Sequence, residues 1–268
     1  MKQILLRGVI VVAVLCTGLF GYGLVTGARS VLYPTGAAIE KLQIEKKERA
    51  TDEPLQVVSL GDSLTRGVGD DKGLGYIGRF RDEMATVWKQ ELEVANLAVS
   101  GEKAPDLLAQ LKKEGVQYTV KQADMLVLTI GGNDLFPGAS KLQQLDLKTY
   151  KADIDSFTKN TKEILTTLRT LNEQAPIYWL GLYDPFEEVE GLDGSSQFVV
   201  EWNKALEHIA TTYEDVYVIP TFDLFHGKGK DFLYTDHFHP NKEGYRLMAE
   251  RLTQKVTSQL NLQKGGED

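Results

Sequence analysis

Short apolar runs alternate with amphipathic stretches along most of the chain, and this alternation limits the possible folds more than any other feature. The runs are typical of buried strands, whereas the stretches between them repeat their apolar residues at helical spacing. Alternating strands and helices form a parallel sheet covered by helices on both faces. The sequence therefore predicts an α/β fold, a three-layer α/β/α sandwich around a five-stranded parallel sheet. The predicted strands lie at residues 55–60, 94–99, 125–130, 177–182 and 216–219, and the predicted helices at 76–92, 105–111, 149–172, 197–213 and from 241 onward.

The composition is that of a folded protein that does not depend on disulfides. The 268 residues are 42% hydrophobic and 25% charged, which supplies enough apolar side chain for a sizeable core. Cys16 is the single cysteine, so no disulfide can form within the chain. The formal net charge of -8 disfavours nucleic acid as a partner, because binding to phosphates needs a basic surface.

The first 28 residues have the pattern of a membrane anchor. Lys2 and Arg7 precede an uncharged run, residues 8–28, that is long enough to cross a bilayer as a helix. Basic residues before the run predict a cytoplasmic N-terminus and an extracytoplasmic body, in a single-pass protein of the cell membrane. Two alternatives stay open. One is cleavage of a signal peptide after residues 26–28, which would give a secreted protein, and the other is lipidation of Cys16.

Charge and composition predict the boundaries of the linker, the globular domain and the C-terminal tail. Residues 40–53 are dominated by charged side chains and are followed by Pro54, so we expect residues 29–54 to form a linker after the transmembrane segment at 1–28. We expect residues 55–262 to form one globular domain and residues 263–268 to form a disordered tail.

Polar residues and glycines follow the predicted strands at the points where the strands end. Ser63 follows the first strand, Gly101 the second and Asn133 the third, while Asp236 and His239 lie in the loop after the fifth. Right-handed crossovers place the carboxyl ends of parallel strands along one edge of the sheet, where ligands bind. We therefore expect these five residues to lie close together.

These five residues can divide the work of a serine hydrolase between them. A serine hydroxyl needs a base within hydrogen-bonding reach, and His239 can serve as that base while the carboxylate of Asp236 holds its ring. The backbone N–H groups of Ser63 and Gly101, with the side-chain amide of Asn133, can bind the oxyanion of a tetrahedral intermediate. The predicted catalytic residues are Ser63, Asp236 and His239, and the predicted oxyanion hole is formed by Ser63, Gly101 and Asn133.

Four short motifs resemble those of the SGNH hydrolases, also called GDSL esterases/lipases. They are Gly-Asp-Ser-Leu at 61–64, the segment 96–101, Gly-Gly-Asn-Asp at 131–134 and Asp-His-Phe-His at 236–239. The resemblance covers roughly residues 55–260. It implies a flavodoxin-like sandwich that hydrolyses esters of lipids, acylated sugars or related small molecules without a cofactor or a metal. With the predicted anchor it suggests, more loosely, a membrane-associated bacterial member.

Several neighbouring residues have a simpler interpretation than catalysis. Asp62 and Asp134 are interpreted as turn-forming residues, because aspartate commonly binds nearby backbone amides, and Asn96 as a loop brace. A metal site is the weaker alternative for a group that contains Asp236, His226, His237 and His239. Aromatic residues near the same edge either line an acyl pocket or pack the loops, and these are Tyr183, Phe186, Phe225 and Phe232.

The sequence thus predicts an extracytoplasmic serine esterase or lipase that acts through an acyl-enzyme on Ser63. A polysaccharide O-acetyl esterase or an acyltransferase would use the same site. An inactive, membrane-tethered binding protein is the alternative from another class, and the complete set of five residues argues against it. Acyl-chain length depends on the pocket volume, which the loops 135–147, 184–196 and 225–235 would set.

Overall fold

The computed structural model describes residues 53–136, 150, 152–192 and 194–260, together with Thr17, Leu19, Tyr22 and Gly23. The chain divides into two compact units, Met1–Lys47 and Glu48–Asp268. Most of the predicted membrane segment and linker, nearly all of the loop 135–147 and all of the predicted tail lie outside the described residues. Among the residues that are described, no helix is both long and apolar enough to span a membrane.

Five parallel strands form the central sheet, in the order β2-β1-β3-β4-β5. The strands are β1 (Leu55–Gly61), β2 (Leu92–Asn96), β3 (Met125–Thr129), β4 (Ile177–Leu180) and β5 (Val216–Ile219). The prediction of a five-stranded parallel sheet is confirmed. Because β2 lies on one side of β1 and β3 on the other, the strand order reverses between β1 and β3. In open α/β sheets such a reversal opens a crevice at the carboxyl ends of the strands.

Helices cover both faces of the sheet. Neighbouring strand residues point to opposite faces, so Val57 joins one hydrophobic cluster and Val58 the other. The cluster around Val57 includes α2 (Gly75–Val87) and α10 (Lys242–Gln259), which pack against each other. The cluster around Val58 includes α3 (Ala104–Gln110), α4 (Glu114–Gln122), α6 (Ile154–Leu171) and α7 (Ser195–Ala210). Short helices occur in the loops: α1 (Ser63–Arg66), α5 (Gly132–Leu135), α8 (Phe222–Phe225) and α9 (Gly229–Phe232).

Several element boundaries differ from the prediction for local reasons. The second strand ends at Asn96 rather than at 99. The Asn96 side chain accepts from Ala98 N at 3.1 Å and donates to Thr65 O at 2.8 Å, which links the segment after the strand to α1. Asn96 is thus a loop brace, as interpreted from the sequence. Helix α4 was not predicted, and Val120 is its one buried residue. The predicted helix 149–172 begins only at Ile154.

Strand β1 ends where two backbones come very close together. Gly61 has a φ of +122°, and a Cβ at this position would lie 1.8 Å from Thr129 O. We expect Gly61→Ala to lower the free energy of unfolding by about 3 kcal/mol or more, since both the clash and the left-handed backbone oppose a side chain. Urea unfolding measures this loss.

Gly73→Ala is the matched control for the Gly61 prediction. Gly73 has a φ of +63°, but a Cβ at this position would meet no atom within 4 Å. Its substitution tests the effect of the left-handed backbone alone and should lower the free energy of unfolding by about 1 kcal/mol. Equal losses for the two variants would contradict the close approach at Gly61.

Candidate active site

Ser63 is held in a tight turn at the carboxyl end of β1. It is the first residue of α1, and the preceding Asp62 caps this short helix by accepting from Leu64 N at 3.0 Å. Gly67, with a φ of +80°, ends the helix one turn later. Ser63 is 7% exposed and lines an open pocket. The turn therefore presents the hydroxyl at the crevice between β1 and β3.

The structure brings Ser63, His239 and Asp236 together in one chain of hydrogen bonds. His239 Nε2 lies 2.8 Å from Ser63 Oγ, and His239 Nδ1 lies 2.6 Å from Asp236 Oδ2. Since an ionised carboxylate only accepts, Nδ1 carries the hydrogen of the neutral ring and Nε2 is left to accept from Ser63. This is the relation of hydroxyl, base and carboxylate that a serine hydrolase needs.

Hydrogen bonds hold the loop that carries Asp236 and His239. Partial burial raises the pKa of Asp236, but bonds from the His239 ring and from the backbone N–H groups of His239 and Phe238 outweigh it and keep this pKa below its ordinary value. Tyr183 Oη donates to Phe238 O at 2.6 Å, and Tyr234 N donates to His239 O at 2.7 Å. Asp236 thus remains ionised at neutral pH, and the ring of His239 keeps its orientation.

Asn133 lines the same pocket as Ser63, on α5 directly after β3. Its Nδ2 donates to Glu102 O at 3.0 Å, which orients the amide and leaves its second hydrogen for another acceptor. The carboxylate of the next residue, Asp134, accepts from Ala104 N at 3.0 Å. Asp134 thus bonds to the backbone of the loop after β2 rather than to a nearby amide of its own turn, so its interpretation as a turn-forming residue is wrong, and the loops after β2 and β3 fix each other.

Gly101 lies in a turn beside the end of β1. Val99 N donates to Gly61 O at 2.8 Å, and Glu102 N donates to Val99 O at 3.1 Å, so the turn is anchored to β1. Gly101 has a φ of +82°, and a Cβ there would meet nothing within 4 Å. The backbone conformation rather than crowding therefore favours glycine. The roles of Gly101 and Asn133 as oxyanion donors stay predictions.

Two other histidines of the same region have different surroundings. His226 pairs through Nδ1 with Glu187 Oε1 at 2.6 Å and stacks on Phe222, with 5.3 Å between ring centroids. His237 is exposed and has a φ of +54°. Within the described ranges, no group of three or more His, Cys, Asp or Glu side chains is arranged to hold a metal ion.

The pocket beside Ser63 is mostly apolar. Of the four aromatic residues expected either to line the pocket or to pack the loops, Tyr183 lines the pocket and the other three do not. Phe225 stacks on Tyr183 with 4.1 Å between ring centroids, and Phe186 packs edge-on against Phe136 at 5.0 Å. Phe232 contacts Phe225 in turn. The apolar lining residues are Leu64, Phe136, Leu182, Tyr183, Pro185 and Phe238.

Asp62 does more than form a turn. Its Oδ1 accepts from Leu64 N, as the turn-forming interpretation expects, but it also accepts from Thr129 Oγ1 at 2.9 Å. Asp62 is 3% exposed and lines the pocket, and burial raises its pKa to about 6. Sequence reasoning missed Thr129. The signal was a hydroxyl at the end of an otherwise apolar strand.

Glu102 is a second buried carboxyl that sequence reasoning missed. It is 5% exposed, follows Gly101, and orients Asn133 through its backbone carbonyl. Burial, and then the charges of Asp106 and Asp62, raise the pKa of Glu102 to about 7. A charged residue directly after a predicted oxyanion glycine was the available signal.

Comparison with known proteins identifies the family. Residues 59–247 match the model of the GDSL-like Lipase/Acylhydrolase family. The chain belongs to this family. It is 31% identical over 212 residues to the spore germination lipase LipC of Bacillus licheniformis, which covers 74% of this chain and 94% of the relative. It is also 32% identical over 238 residues to YpmR of Bacillus subtilis, covering 85% of this chain and 93% of the relative.

Solved structures agree with this assignment. The lipase Lip_vut3 from a goat rumen metagenome has a TM-score of 0.64 at 28% identity, covering 75% of this chain and 96% of the lipase. The acetylxylan esterase Axe2 of Geobacillus stearothermophilus shares the fold, with a TM-score of 0.58 at 19% identity over 75% of this chain and 94% of that one. The resemblance noted in the sequence is confirmed at the level of the family. This protein is a GDSL-type hydrolase, an enzyme that cleaves ester bonds.

Proposed function

We propose that this GDSL hydrolase is a serine esterase or lipase that forms an acyl-enzyme on Ser63. His239 is the base, and Asp236 orients and stabilises it. The observation that carries this proposal is the continuous chain from Ser63 Oγ to His239 Nε2 at 2.8 Å and from His239 Nδ1 to Asp236 Oδ2 at 2.6 Å.

The reaction follows from the hydrogen bonds in the site. As Ser63 Oγ attacks the ester carbonyl carbon, its proton passes to His239 Nε2, and the negative charge of Asp236 stabilises the imidazolium. The carbonyl oxygen becomes an oxyanion, which accepts from the N–H groups of Ser63 and Gly101 and from the second amide hydrogen of Asn133. His239 then protonates the leaving alcohol. A water molecule then attacks the carbonyl carbon of the acyl-enzyme and gives its proton to His239. His239 returns this proton to Ser63 Oγ as the bond to the acyl group breaks, and the acid is released.

The apolar lining favours the acyl chain of a lipid-like ester as the group that enters the pocket. Phe136, Leu182 and Phe238 offer it no hydrogen-bonding side-chain groups, whereas a sugar needs such partners for its hydroxyls. The similarity to the lipases LipC and Lip_vut3 supports this substrate class.

A panel of p-nitrophenyl esters of increasing chain length tests the substrate class. We expect kcat/KM to rise from acetate to longer acyl chains, because each added methylene that enters the pocket leaves water. Acetate as the best substrate would contradict the lipid-like class and favour an O-acetyl esterase. Absence of turnover, together with absence of labelling of Ser63 by a fluorophosphonate, would contradict the proposed enzyme and favour a binding protein.

We further propose that the enzyme acts outside the cytoplasm, tethered through residues 8–28 and a linker at residues 29–54. The support is in the sequence: an uncharged run of 21 residues that follows Lys2 and Arg7. Protease added to intact protoplasts should release an active fragment cut within the linker. Activity that stays protected inside the protoplasts would contradict this location.

A further inference from the structure

A chain of buried hydroxyl groups leads from α2 to the carboxylate of Asp62. Tyr76 Oη lies 2.7 Å from Thr65 Oγ1, which lies 2.7 Å from Thr129 Oγ1. Thr129 Oγ1 lies 2.9 Å from Asp62 Oδ1. The four residues are at most 3% exposed. Water is therefore excluded from a polar path that joins α1, α2 and β3 to the residue before Ser63.

An ionised Asp62 sets the direction in which every hydroxyl of this chain donates. A carboxylate only accepts, so Thr129 donates to Asp62 and must accept from Thr65. Thr65 then accepts from Tyr76, where burial raises the pKa of the phenol and keeps it protonated. Each threonine hydroxyl accepts one bond and donates one. A proton on Asp62 Oδ1 would face the Thr129 hydrogen and break this order.

The charge of Asp62 depends on the groups that surround it. Burial raises the pKa of Asp62 to about 6, while the Leu64 N–H, the Thr129 hydroxyl and the charge of His239 lower it. Without the Thr129 hydroxyl, one of the hydrogen bonds that lower the pKa of Asp62 would be lost. The pKa of the Asp62 carboxyl would then rise further.

Titratable side chains from several elements interact with Asp62. They are His239 from the loop after β5, Glu102 from the loop after β2, Tyr76 from α2, Tyr183 from the loop after β4 and Tyr245 from α10. The three tyrosines stay neutral, because burial raises the pKa of each of them. His239 becomes a cation during the proposed reaction. The attraction between this cation and the Asp62 carboxylate stabilises both charges.

We propose that Thr129, Thr65 and Tyr76 are positioning residues that keep Asp62 ionised. The ionised Asp62 holds the Ser63 turn through Leu64 N and attracts the imidazolium that forms on His239. This inference rests on the proposed function, since its effect on rate requires turnover through Ser63 and His239.

Thr129→Val tests the chain, because valine keeps the side-chain shape and removes the hydroxyl. We expect the midpoint of the acid limb of kcat/KM to move upward by about one pH unit, with activity recovering as the pH rises. KM should change little, since Thr129 is not among the residues that line the pocket. Tyr76→Phe leaves the bond between Thr129 and Asp62 in place, and should produce a smaller shift in the same direction.

Two controls separate this role from simple packing. Thr129→Ser keeps the hydroxyl and should retain the wild-type profile. Thr161→Val removes a buried hydroxyl of α6 that has no hydrogen-bond partner within the described structure, and should leave the profile unchanged. A loss of activity by the same factor at every pH in Thr129→Val would overturn the inference, as would an unchanged acid limb in both Thr129→Val and Tyr76→Phe.

The titration of Asp62 can also be followed without turnover. The carboxyl ¹³C resonance of Asp62, observed by NMR, should titrate at higher pH in Thr129→Val than in the wild type. An unchanged midpoint overturns the inference. If the wild type neither hydrolyses esters nor labels at Ser63, the proposed function fails, and the catalytic consequence fails with it. The NMR midpoints still decide in that case whether the hydroxyl chain keeps Asp62 ionised.

Discussion

Ser63→Ala is expected to abolish ester hydrolysis almost completely, lowering kcat by a factor of about 10⁶. The variant lacks the oxygen that would form the proposed acyl-enzyme, while the pocket and the predicted oxyanion donors remain. Only the catalysis that binding and oxyanion stabilisation provide by themselves should survive. The measurement is turnover of the best p-nitrophenyl ester, together with labelling by a fluorophosphonate, which should disappear.

Ser59→Ala is the matched control for this prediction. Ser59 is a fully buried serine of β1, the strand that leads to Ser63, and its Oγ has no hydrogen-bond partner within the described residues. Its substitution should leave kcat within about twofold of the wild type, because a packing change of this size is small. Activity of Ser63→Ala comparable to that of Ser59→Ala would show that Ser63 is not the nucleophile.

The second large effect is expected at the base and its orienter, in a definite order. His239→Ala should lower kcat by about 10⁶, because no group is left to take the Ser63 proton. Asp236→Asn should lower kcat less, by about 10⁴. The ring of His239 remains, but it loses its charged partner and is no longer held in the tautomer that accepts from Ser63. Steady-state rates at a pH above the acid limb measure both variants.

His237→Asn controls for changes in the loop itself. His237 has a φ of +54°, a conformation that asparagine tolerates well, and its side chain is exposed. The control should keep nearly full activity. If Asp236→Asn were as damaging as His239→Ala, or more so, Asp236 would have to act as more than an orienter.

The strand runs were readable from sequence because parallel strands buried on both faces are apolar throughout. Residues 55–60, 125–130 and 216–219 therefore predict β1, β3 and β5 to within one residue at each end. The end of β2 was less readable, since the apolar run continues past Asn96 to residue 99 while the strand does not. The bonds of the Asn96 side chain to Ala98 N and Thr65 O leave no sign in apolar periodicity.

The site was predictable to the extent that topology alone assembles it. Parallel strands bring their carboxyl ends to one edge, so residues 176 positions apart, Ser63 and His239, could be expected to meet. The aromatic residues were less predictable. Tyr183 lines the pocket while Phe186, Phe225 and Phe232 pack behind it, because small rotations of loop backbone decide which ring faces the opening.

The sequence by itself determined the parallel α/β sandwich, the family, and the five residues that converge at the end of the sheet. Hydrophobic periodicity and motif order are properties of the chain, and they need no three-dimensional information. Only the tertiary structure decided that Asp62 is a buried carboxyl tied to Thr129, Thr65 and Tyr76. Those bonds join residues from three elements, and burial, which raises the pKa of Asp62 to about 6, exists only once the sheet and helices have packed.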